Sequence, residues 1–576
     1  MRQVISKIVP DLLILDEVHN FALPTEILAM TQRLAMLLKQ KRESKIVIMS
    51  ATLDPVIFQE YFKDVSTDIP VVQIPGRTFP VEKYFNKRDG YISSIVTQNT
   101  QGNNVLVFEP GKKEIEQDHT TLTKHFAADQ KYTEMSHTMG WKEPIIHELH
   151  ADLPKEDQKG ITQAKQDQPD VTLATNVAEE SITIERINTV VDLGEHKVVD
   201  YSNMGIPALR TRNASKANCL QRAGRAGRVR PGTYIRVNDT PYEDLPDYPE
   251  APMEKEMLDK YILIMLEHGV DILKMDDEAR IEGKQLFFHE FDRKLVNISL
   301  YRLHSIGAID RERKITALGR DLIKLPLDVY NARVLYEGIK LECAEDMMYA
   351  AAILEKKGFV SKNGAWKELK LADQDESDVL AFVDLFKIIS ARTLNKDQIH
   401  KLKQLGVSTE DIALFQAHDG KYRLFEVVDL TDFGIKTKRV KEISDLVEDL
   451  ARRLTDSKIE LKPSGNLFNK KVALVTGSLH DVYRYDGDSK TLINTTHKTS
   501  KNRLEFIAGD ISLIEVTPKS MYVGQPFIIG GKKNPETGLM SPDLNLVTFL
   551  TAVDSGHIKS AVESTQKHLA KLATST

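Results

Sequence analysis

Two stretches of this 576-residue chain bring together residue types that could do chemistry. The first, LLILDEVHN (Leu12–Asn20), runs four apolar residues straight into Asp16 and Glu17, with His19 close behind. Leu12–Leu15 is too short for a helix face and predicts a buried strand of a parallel sheet, apolar on both sides. Such sheets place functional groups just beyond the carboxyl ends of their strands, where a metal ion or a water could reach the two carboxylates. On these letters alone, an ordinary strand followed by a solvated acidic turn fits equally well. The second stretch, QRAGRAGRVRPG (Gln221–Gly232), spaces arginines three apart with Ala and Gly between them. That spacing predicts one helical face with small neighbours, which something large can approach closely.

The surroundings of the second stretch are unusual for this chain. From His196 to Arg230 the basic residues are Lys197, Arg210, Arg212, Lys216, Arg222, Arg225, Arg228 and Arg230, against Asp200 alone. The window therefore carries +7 inside a chain whose net charge is −6. The global charge gives no argument for nucleic acid, so any such binding must come from local patches of this kind.

Length sets a prior of roughly 3 to 5 domains. With 41% hydrophobic and 28% charged residues, the composition is that of a folded globular chain. No apolar run reaches 18 residues, so no membrane span is expected. Asp11 and Asp16 interrupt the apolar stretch after Arg2 and Lys7, so no secretory signal is expected either. Two cysteines, Cys219 and Cys343, make neither a disulfide framework nor a zinc spacing, which points to a cytoplasmic protein.

Several elements must position the chemical residues. KIVIMSATLD (Lys45–Asp54) predicts a second buried strand ending in small hydroxyl residues. NNVLVFEPGKKEIE (Asn103–Glu116) predicts a strand, a Pro-Gly turn and a helix start. DVTLATNVAEESITI (Asp170–Ile184) predicts strand, polar turn and helix, and TVVDLG (Thr189–Gly194) one more strand. Strands alternating with helices argue a parallel α/β sheet to about residue 240. Beyond a Pro-rich acidic stretch (Asp239–Glu256), KYILIMLEHG, LVNISLYRLHSIGAID and AEDMMYAAAILEKKG have apolar residues at helical spacing. From about Leu461, KKVALVTGSLHDVYRYDGDSKTLI and MYVGQPFIIGGKKNPETG predict short strands of a small barrel or sandwich. The tail, Ser555–Leu572, predicts an amphipathic helix.

In this order the pieces resemble the DEAH-box (DEAH/RHA) family of superfamily-2 RNA helicases. DEVH (Asp16–His19) resembles motif II, SAT (Ser50–Thr52) motif III and VLVFEPGKKEIE motif IV. ELHADLP (Glu148–Pro154) is similar to the short motif that follows. TNVAEESITI (Thr175–Ile184) resembles motif V, and QRAGRAGR (Gln221–Arg228) matches motif VI letter for letter. LYRLHSIGAIDRERKITALGRDLIKLPLD (Leu300–Asp328) resembles the region after the family's motor.

The resemblance implies an α/β RecA-like helicase motor, its first lobe partial and its second complete. Winged-helix, helical-bundle and OB-fold-like β domains would follow. The implied divisions are a partial first lobe over 1–75, a second lobe over 76–240, and a winged-helix-like part over 241–325. A helical bundle over 326–460 and an OB-like domain with a C-terminal helix over 461–576 complete the chain.

The implied cofactors are ATP and Mg²⁺. Asp16 would hold the metal, with Glu17 beside it orienting the attacking water. His19 would couple this edge to motifs III and VI, or serve as a partly buried structural histidine. Gln221 would position water or γ-phosphate, and Arg225 and Arg228 would supply positive charge to the transferring phosphoryl group. Arg222 could simply pair with an acid. The implied partner is single-stranded nucleic acid, RNA by family, gripped along its backbone. Thr175, Asn176, Ser181, Lys197 and Arg212 are the contact candidates, and Ser50 and Thr52 would link strand to nucleotide. Residues 194–212 take the place of the family's strand-separating hairpin, with its turn at Ser202–Gly205; an ordinary surface hairpin is the alternative.

One part is missing from the pattern. No GxxxxGK[ST] phosphate loop occurs in the 576 residues; EPGKK and GGKKN lack the earlier Gly and the Ser/Thr. Three readings follow: the C-terminal portion of an ATP-dependent RNA helicase, a catalytically inactive RNA-binding or adaptor protein, or an ATPase completed by a separate first-lobe chain.

Overall fold

Strand β1 (Leu12–Leu15) pairs in parallel with β2 (Lys45–Ile48), Leu12 opposite Lys45 and Leu15 opposite Ile48. The protein is seen here as a computed structural model. It describes residues 10–37, 44–50, 55–74, 79–87, 90–141, 144–164, 167–180, 182–202, 205–461, 465–495, 505–508, 510–514, 516–517, 520–529 and 543–573.

The expected burial of Leu12–Leu15 on both faces is corrected by the structure. Leu12 and Ile14 are 51% and 55% exposed, and Val47 on β2 is 43% exposed. Only the other face is covered, Leu15 packing with Val18, Phe21, Ala29 and Phe58. The reason is geometric: among the described residues this sheet has two strands, and nothing lies over its outer face. Helix Leu23–Leu37 docks the pair onto a distant segment, residues 285–289. Glu26, fully buried, meets His289 Nδ1 at 2.8 Å. Arg33 donates to the Gln285 carbonyl at 2.7 Å, and the Tyr61 hydroxyl to that of Leu286 at 2.7 Å. Phe288 inserts edge-on among Phe58, Tyr61 and Phe62.

The second sheet is wholly parallel. Its strands are β3 (Val81–Lys87), β4 (Val105–Phe108), β5 (Ile145–Leu149), β6 (Asp170–Ala174), β7 (Thr189–Asp192) and, later in the chain, Gly232–Val237. The central strands β4, β6 and β7 are buried along their whole length. Such strands, apolar on both faces, are what helices on both sides of a parallel sheet require. Before the sheet's last strand the chain leaves it as a hairpin, β8 (Glu195–Tyr201) with β9 (Pro207–Asn213). Gly232–Val237 is accordingly β10, and the spatial order is β3-β10-β7-β4-β6-β5.

Helices dominate from residue 252 to 477. Asp271, Asp292, Thr316, Asp328, Ser377 and Ser408 each accept a backbone N–H at a helix start, which fixes where these helices begin. The helical expectations for KYILIMLEHG, LVNISLYRLHS and AEDMMYAAAILEK match helices at Asp259–Glu267, Arg293–Ser305 and Ala344–Lys356. KKVALVTG does not form a strand; Leu467–Gly477 is a helix, started by the Asn466 side chain. Its packing overrides the β-preference of its valines: a Cβ on Gly477 would lie 2.6 Å from the Tyr330 carbonyl of the neighbouring helix.

The last strands are β11 (Val482–Asp486), β12 (Thr491–Asn494), β13 (Glu505–Ala508), β14 (Met521–Ile529) and β15 (Leu544–Val553). They run in the order β11-β12-β13-β15-β14, and β14 pairs back onto β11, closing a five-stranded barrel. The β13–β15 pair is parallel and the rest antiparallel. The hairpin joins this barrel, β9 pairing with β14 at Ala208–Ile528 and Leu209–Ile529. Asp378 ties barrel to helices, its carboxylate accepting from the Leu513 and Leu550 amides at 2.7 and 2.8 Å. The tail is a helix, Ser555–Ala573. No described helix is long and apolar enough to cross a membrane.

Candidate functional site

At the end of β1 the chain turns sharply. Glu17 adopts φ 51°, the left-handed region that a non-glycine residue enters only where its surroundings hold it there. Its amide donates to Asp16 Oδ1 at 2.9 Å, and both carboxylates face solvent. His19, by contrast, is buried. Its Nδ1 lies 3.2 Å from Ser50 Oγ and 3.3 Å from Glu17 Oε2, so one imidazole joins the acidic turn to the end of β2. Backbone bonds reinforce the link, with Val18 donating to the Met49 carbonyl and Met49 to that of Leu15. Of the sequence candidates here, Asp16, Glu17, His19 and Ser50 come together, while Thr52 lies outside the described residues.

The arginine stretch is built differently from the single helical face expected. Helix Lys216–Ala223, opened by a capping box between Ser215 and Asn218, stops at Gly224. Only Gln221 and Arg222 lie on it; Arg225 and Arg228 lie in the turns beyond. Gly227 makes the departure possible, because a Cβ there would sit 2.6 Å from the Phe79 carbonyl. The arginines converge on a common target instead, formed by Glu179, Ile182 and Thr183. Arg222 is buried, donating from Nε to Glu179 Oε2 at 3.1 Å and from Nη1 to Asp192 Oδ1 at 2.7 Å. Its guanidinium lies over the Phe108 ring, 4.9 Å from the centroid. Asp192 also accepts from the Tyr234 hydroxyl at 2.6 Å and the Gly194 amide at 2.7 Å. Arg225 donates to the carbonyls of Glu179 and Ile182, and Arg228 to the Thr183 hydroxyl. Glu179 and Asp192 were not singled out in the sequence; the only signal was an acid at the end of each strand unit, in AEES and VVDLG.

The +7 window is not a +7 surface. Acids from elsewhere in the chain meet several of its charges: Lys197 pairs with Glu114 at 2.5 Å, Arg210 with Asp543 at 2.8 Å and Lys216 with Asp247 at 2.9 Å. Arg212 pairs with Asp200 at 2.8 Å, yet its side chain stays 57% exposed. Burial and the Arg222 guanidinium push His196 down to about 4, so it adds no charge at neutral pH. Among the contact candidates, Thr175 is half-buried and Asn176 exposed at the end of β6. Ser181 lies outside the described residues, as do residues 203 and 204 of the expected hairpin turn.

Glu109, at the end of β4, was also missed. It is 2% exposed and sits beside Asp118. Burial, then the Asp118 carboxylate, pushes it up to about 9 from an ordinary 4.5, so it is protonated at neutral pH. Since its folded value is raised, the unfolded chain ionises first and stability falls as pH rises from about 4.5 to about 9. Glu109→Gln keeps the shape without the titration. We expect it to stabilise the protein at pH 8 by on the order of 1–3 kcal/mol and hardly at all at pH 5. Urea unfolding at both pH values checks this; an equal effect at both would contradict it.

Comparison with known protein families places two matches on this geometry. Residues 87–230 match the helicase conserved C-terminal domain, which covers the parallel sheet from the end of β3 to the arginine stretch. Residues 299–327 match the winged-helix helicase associated domain, HA2, which covers most of helix Arg293–Ser305, the Ile309–Ile315 bridge and helix Ala317–Leu322.

Proposed function

We propose, from a RecA-like helicase C-terminal lobe followed by an HA2 winged helix, the pair that indicates a DEAH/RHA-type superfamily-2 helicase, that this chain is the strand-gripping and accessory part of an ATP-dependent RNA helicase. The observation that carries the reading is the Arg222 junction. It ties the arginine stretch to Glu179 and to the end of β7, and so joins the residues assigned to nucleotide to the element that follows Thr175 and Asn176. Coupling of that kind is what a motor needs and a passive binding domain does not.

In this reading Asp16 holds Mg²⁺ and Glu17 orients the attacking water. The donor chemistry fits: Asp16 offers hard, exposed oxygen at a parallel strand end. Mg²⁺ would neutralise charge between the phosphates of ATP. His19 passes the position of this turn to Ser50. Gln221 would hold water, and Arg225 and Arg228 would bring charge to the phosphoryl group from a loop anchored by Arg222. Thr175 and Asn176 grip backbone phosphates, with the β8–β9 hairpin beside the strand's path. The five-stranded barrel with its one parallel pair is read here as OB-fold-like, a second surface for single strands. Two buried, unbonded cysteines fit a reducing cytoplasm.

One observation favours a second reading, an RNA-binding adaptor without hydrolysis: no phosphate-cradling loop occurs in the 576 residues. Both readings require nucleic-acid binding without ATP. Fluorescence anisotropy on a labelled single-stranded RNA should show sequence-tolerant binding that weakens steeply with salt through counterion release. Arg212→Glu, at the most exposed of the candidate cations, should weaken it and lower the salt slope by about 1 or 2. Lys197→Glu should add less, because Lys197 is committed to Glu114. No binding at low salt, or binding indifferent to salt, would overturn the proposal.

A further inference from the structure

Where the β8–β9 hairpin meets the helices and the barrel, the chain surrounds a cavity of about 260 Å³. Tyr201 of the hairpin lines it, with Arg302 of helix Arg293–Ser305, Tyr330 of helix Val329–Lys340 and Gln525 of β14. The hairpin is held here twice. Arg302 Nη1 donates to the Gly205 carbonyl at 3.1 Å, and β9 pairs with β14.

The wall is acidic. Asp259, Asp328, Glu355 and Asp481 share it with two cations, Arg302 and Lys357. Asp259 and Asp481 are each 7% exposed. Carboxylates so buried are almost always paired with a lysine or arginine. Among the described residues, none of these four is. Their partners are a hydroxyl, amides and an imidazole instead. The Tyr330 hydroxyl donates to Asp259 Oδ1 at 2.5 Å, and its amide to Asp328 Oδ1 at 2.9 Å. Asn331 Nδ2 donates to Glu355 Oε2 at 2.8 Å, and His480 Nε2 lies 3.4 Å from Asp481 Oδ2. Burial pushes Asp328 and Asp481 up to about 6, so both are still ionised at pH 7.5. A second, independent feature lies on the barrel side. The Gln525 amide oxygen is buried and accepts no hydrogen bond, at a place where β14 shifts register between Val523 and Gln525. Such bulges re-aim side chains and gather at binding sites.

The cavity thus lacks positive charge and a hydrogen-bond donor, and two positive charges would balance its four acids against its two cations. No three carboxylate, imidazole or thiol groups among the described residues converge closely enough to hold a metal ion. A cation that spans the cavity suits such spread acids better than a point charge. Leu354, Leu474 and Val523 in the wall offer apolar surface to methylene groups, and the Tyr330 ring offers a π face to an ammonium. The acids also fall into two groups. Asp259 and Asp328 both bind Tyr330, while Asp481 precedes β11 and by register lies beside Gly524, next to Gln525. We propose that this cavity binds an alkyl diamine in its doubly protonated form, one ammonium at Asp259 and Asp328 and the other at Asp481 and Gln525. The bound diamine ties helices to barrel around the base of the hairpin. The site stands whether or not the chain binds nucleic acid.

Isothermal calorimetry on the full chain at pH 7.5, with putrescine as the probe, tests this. Putrescine should bind saturably, one per chain, and raise Tm, whereas 1,4-butanediol, of the same length and uncharged, should do neither. Asp259→Asn and Asp481→Asn should each weaken putrescine by about 10-fold or more, the worth of a hydrogen bond to a charged group. Gln525→Met, which leaves the charge alone, should weaken it by about 3-fold. The diol comparison uses the unsubstituted chain, so it holds even where an Asn variant fails to fold. No saturable binding, equal binding of the diol, or well-folded Asn variants that bind as before would overturn the proposal. Mg²⁺ or Nα-acetyl-lysine amide binding as tightly as putrescine would overturn the diamine, in favour of a metal ion or a partner's lysine side chain.

Discussion

Arg222→Ala should cost about 3–5 kcal/mol of the parallel domain's stability, the largest single-residue effect we expect on folding. The side chain is 1% exposed and bridges Glu179 and Asp192, themselves 4% and 0% exposed. Truncation leaves two buried carboxylates facing one another across a cavity without the positive charge that offsets them. The Phe108 ring loses its cation as well. The penalty comes from the orphaned charges more than from the lost pair. Arg222→Met combined with Glu179→Gln and Asp192→Asn should therefore recover much of the loss. Urea unfolding followed at Trp141, in a Trp366→Phe background, reports on this domain separately from the helical region. A loss below about 1 kcal/mol for Arg222→Ala would mean that the junction is not the anchor described above.

The second large effect concerns turnover. When the chain is supplied with a first lobe that carries a phosphate loop, joined or as a second polypeptide, Arg228→Ala should reduce ATP hydrolysis by ~10³–10⁵, the worth of an arginine finger. Affinity for RNA should change little, since Arg228 reaches Thr183 from the far side of a loop whose anchor, Arg222, stays in place. Arg225→Ala should be harder to interpret, because Arg225 also satisfies the Glu179 and Ile182 carbonyls that define the loop. Unchanged turnover in Arg228→Ala would remove the finger assignment.

Much of this architecture was legible in the sequence because local signals and tertiary demands agree. VLVF, DVTLA and TVVD are short apolar runs bounded by turns, and they became the buried centre of the parallel sheet. The tail helix was also legible from helical spacing, and the hairpin from the place its residues take in the family's order. The departures occur where a distant partner decides. KKVALVTG reads as a strand by its valines, but a helix at 329–340 offers its groove and the segment coils to fill it. The spacing of three in QRAGRAGR reads as a helical face; two glycines and the target at 179–183 end the helix and turn the arginines toward one segment.

Charge was the least legible property. The window from His196 to Arg230 counts +7, yet Glu114 and Asp543, both far away in sequence, lie against it in space, as does Asp247 of the acidic stretch just after it. No count along the chain could anticipate them. The site residues were legible as letters but only in part as a site. His19, Glu17 and Ser50 form one group and Gln221 to Arg228 anchor in another, and the contacts described for each group stay within its own lobe.

The most direct test of the central claim is ATP turnover by the 576-residue chain, alone and together with a phosphate-loop-bearing first lobe, each with and without single-stranded RNA. Positioning and electrostatic stabilisation of the phosphates supply nearly all the catalysis in this chemistry, so the chain alone should turn over negligibly. The assembly should hydrolyse ATP at a rate that RNA raises and that Glu17→Gln abolishes. Turnover by the chain alone near 1 s⁻¹, or an assembly whose rate ignores RNA, would contradict the account.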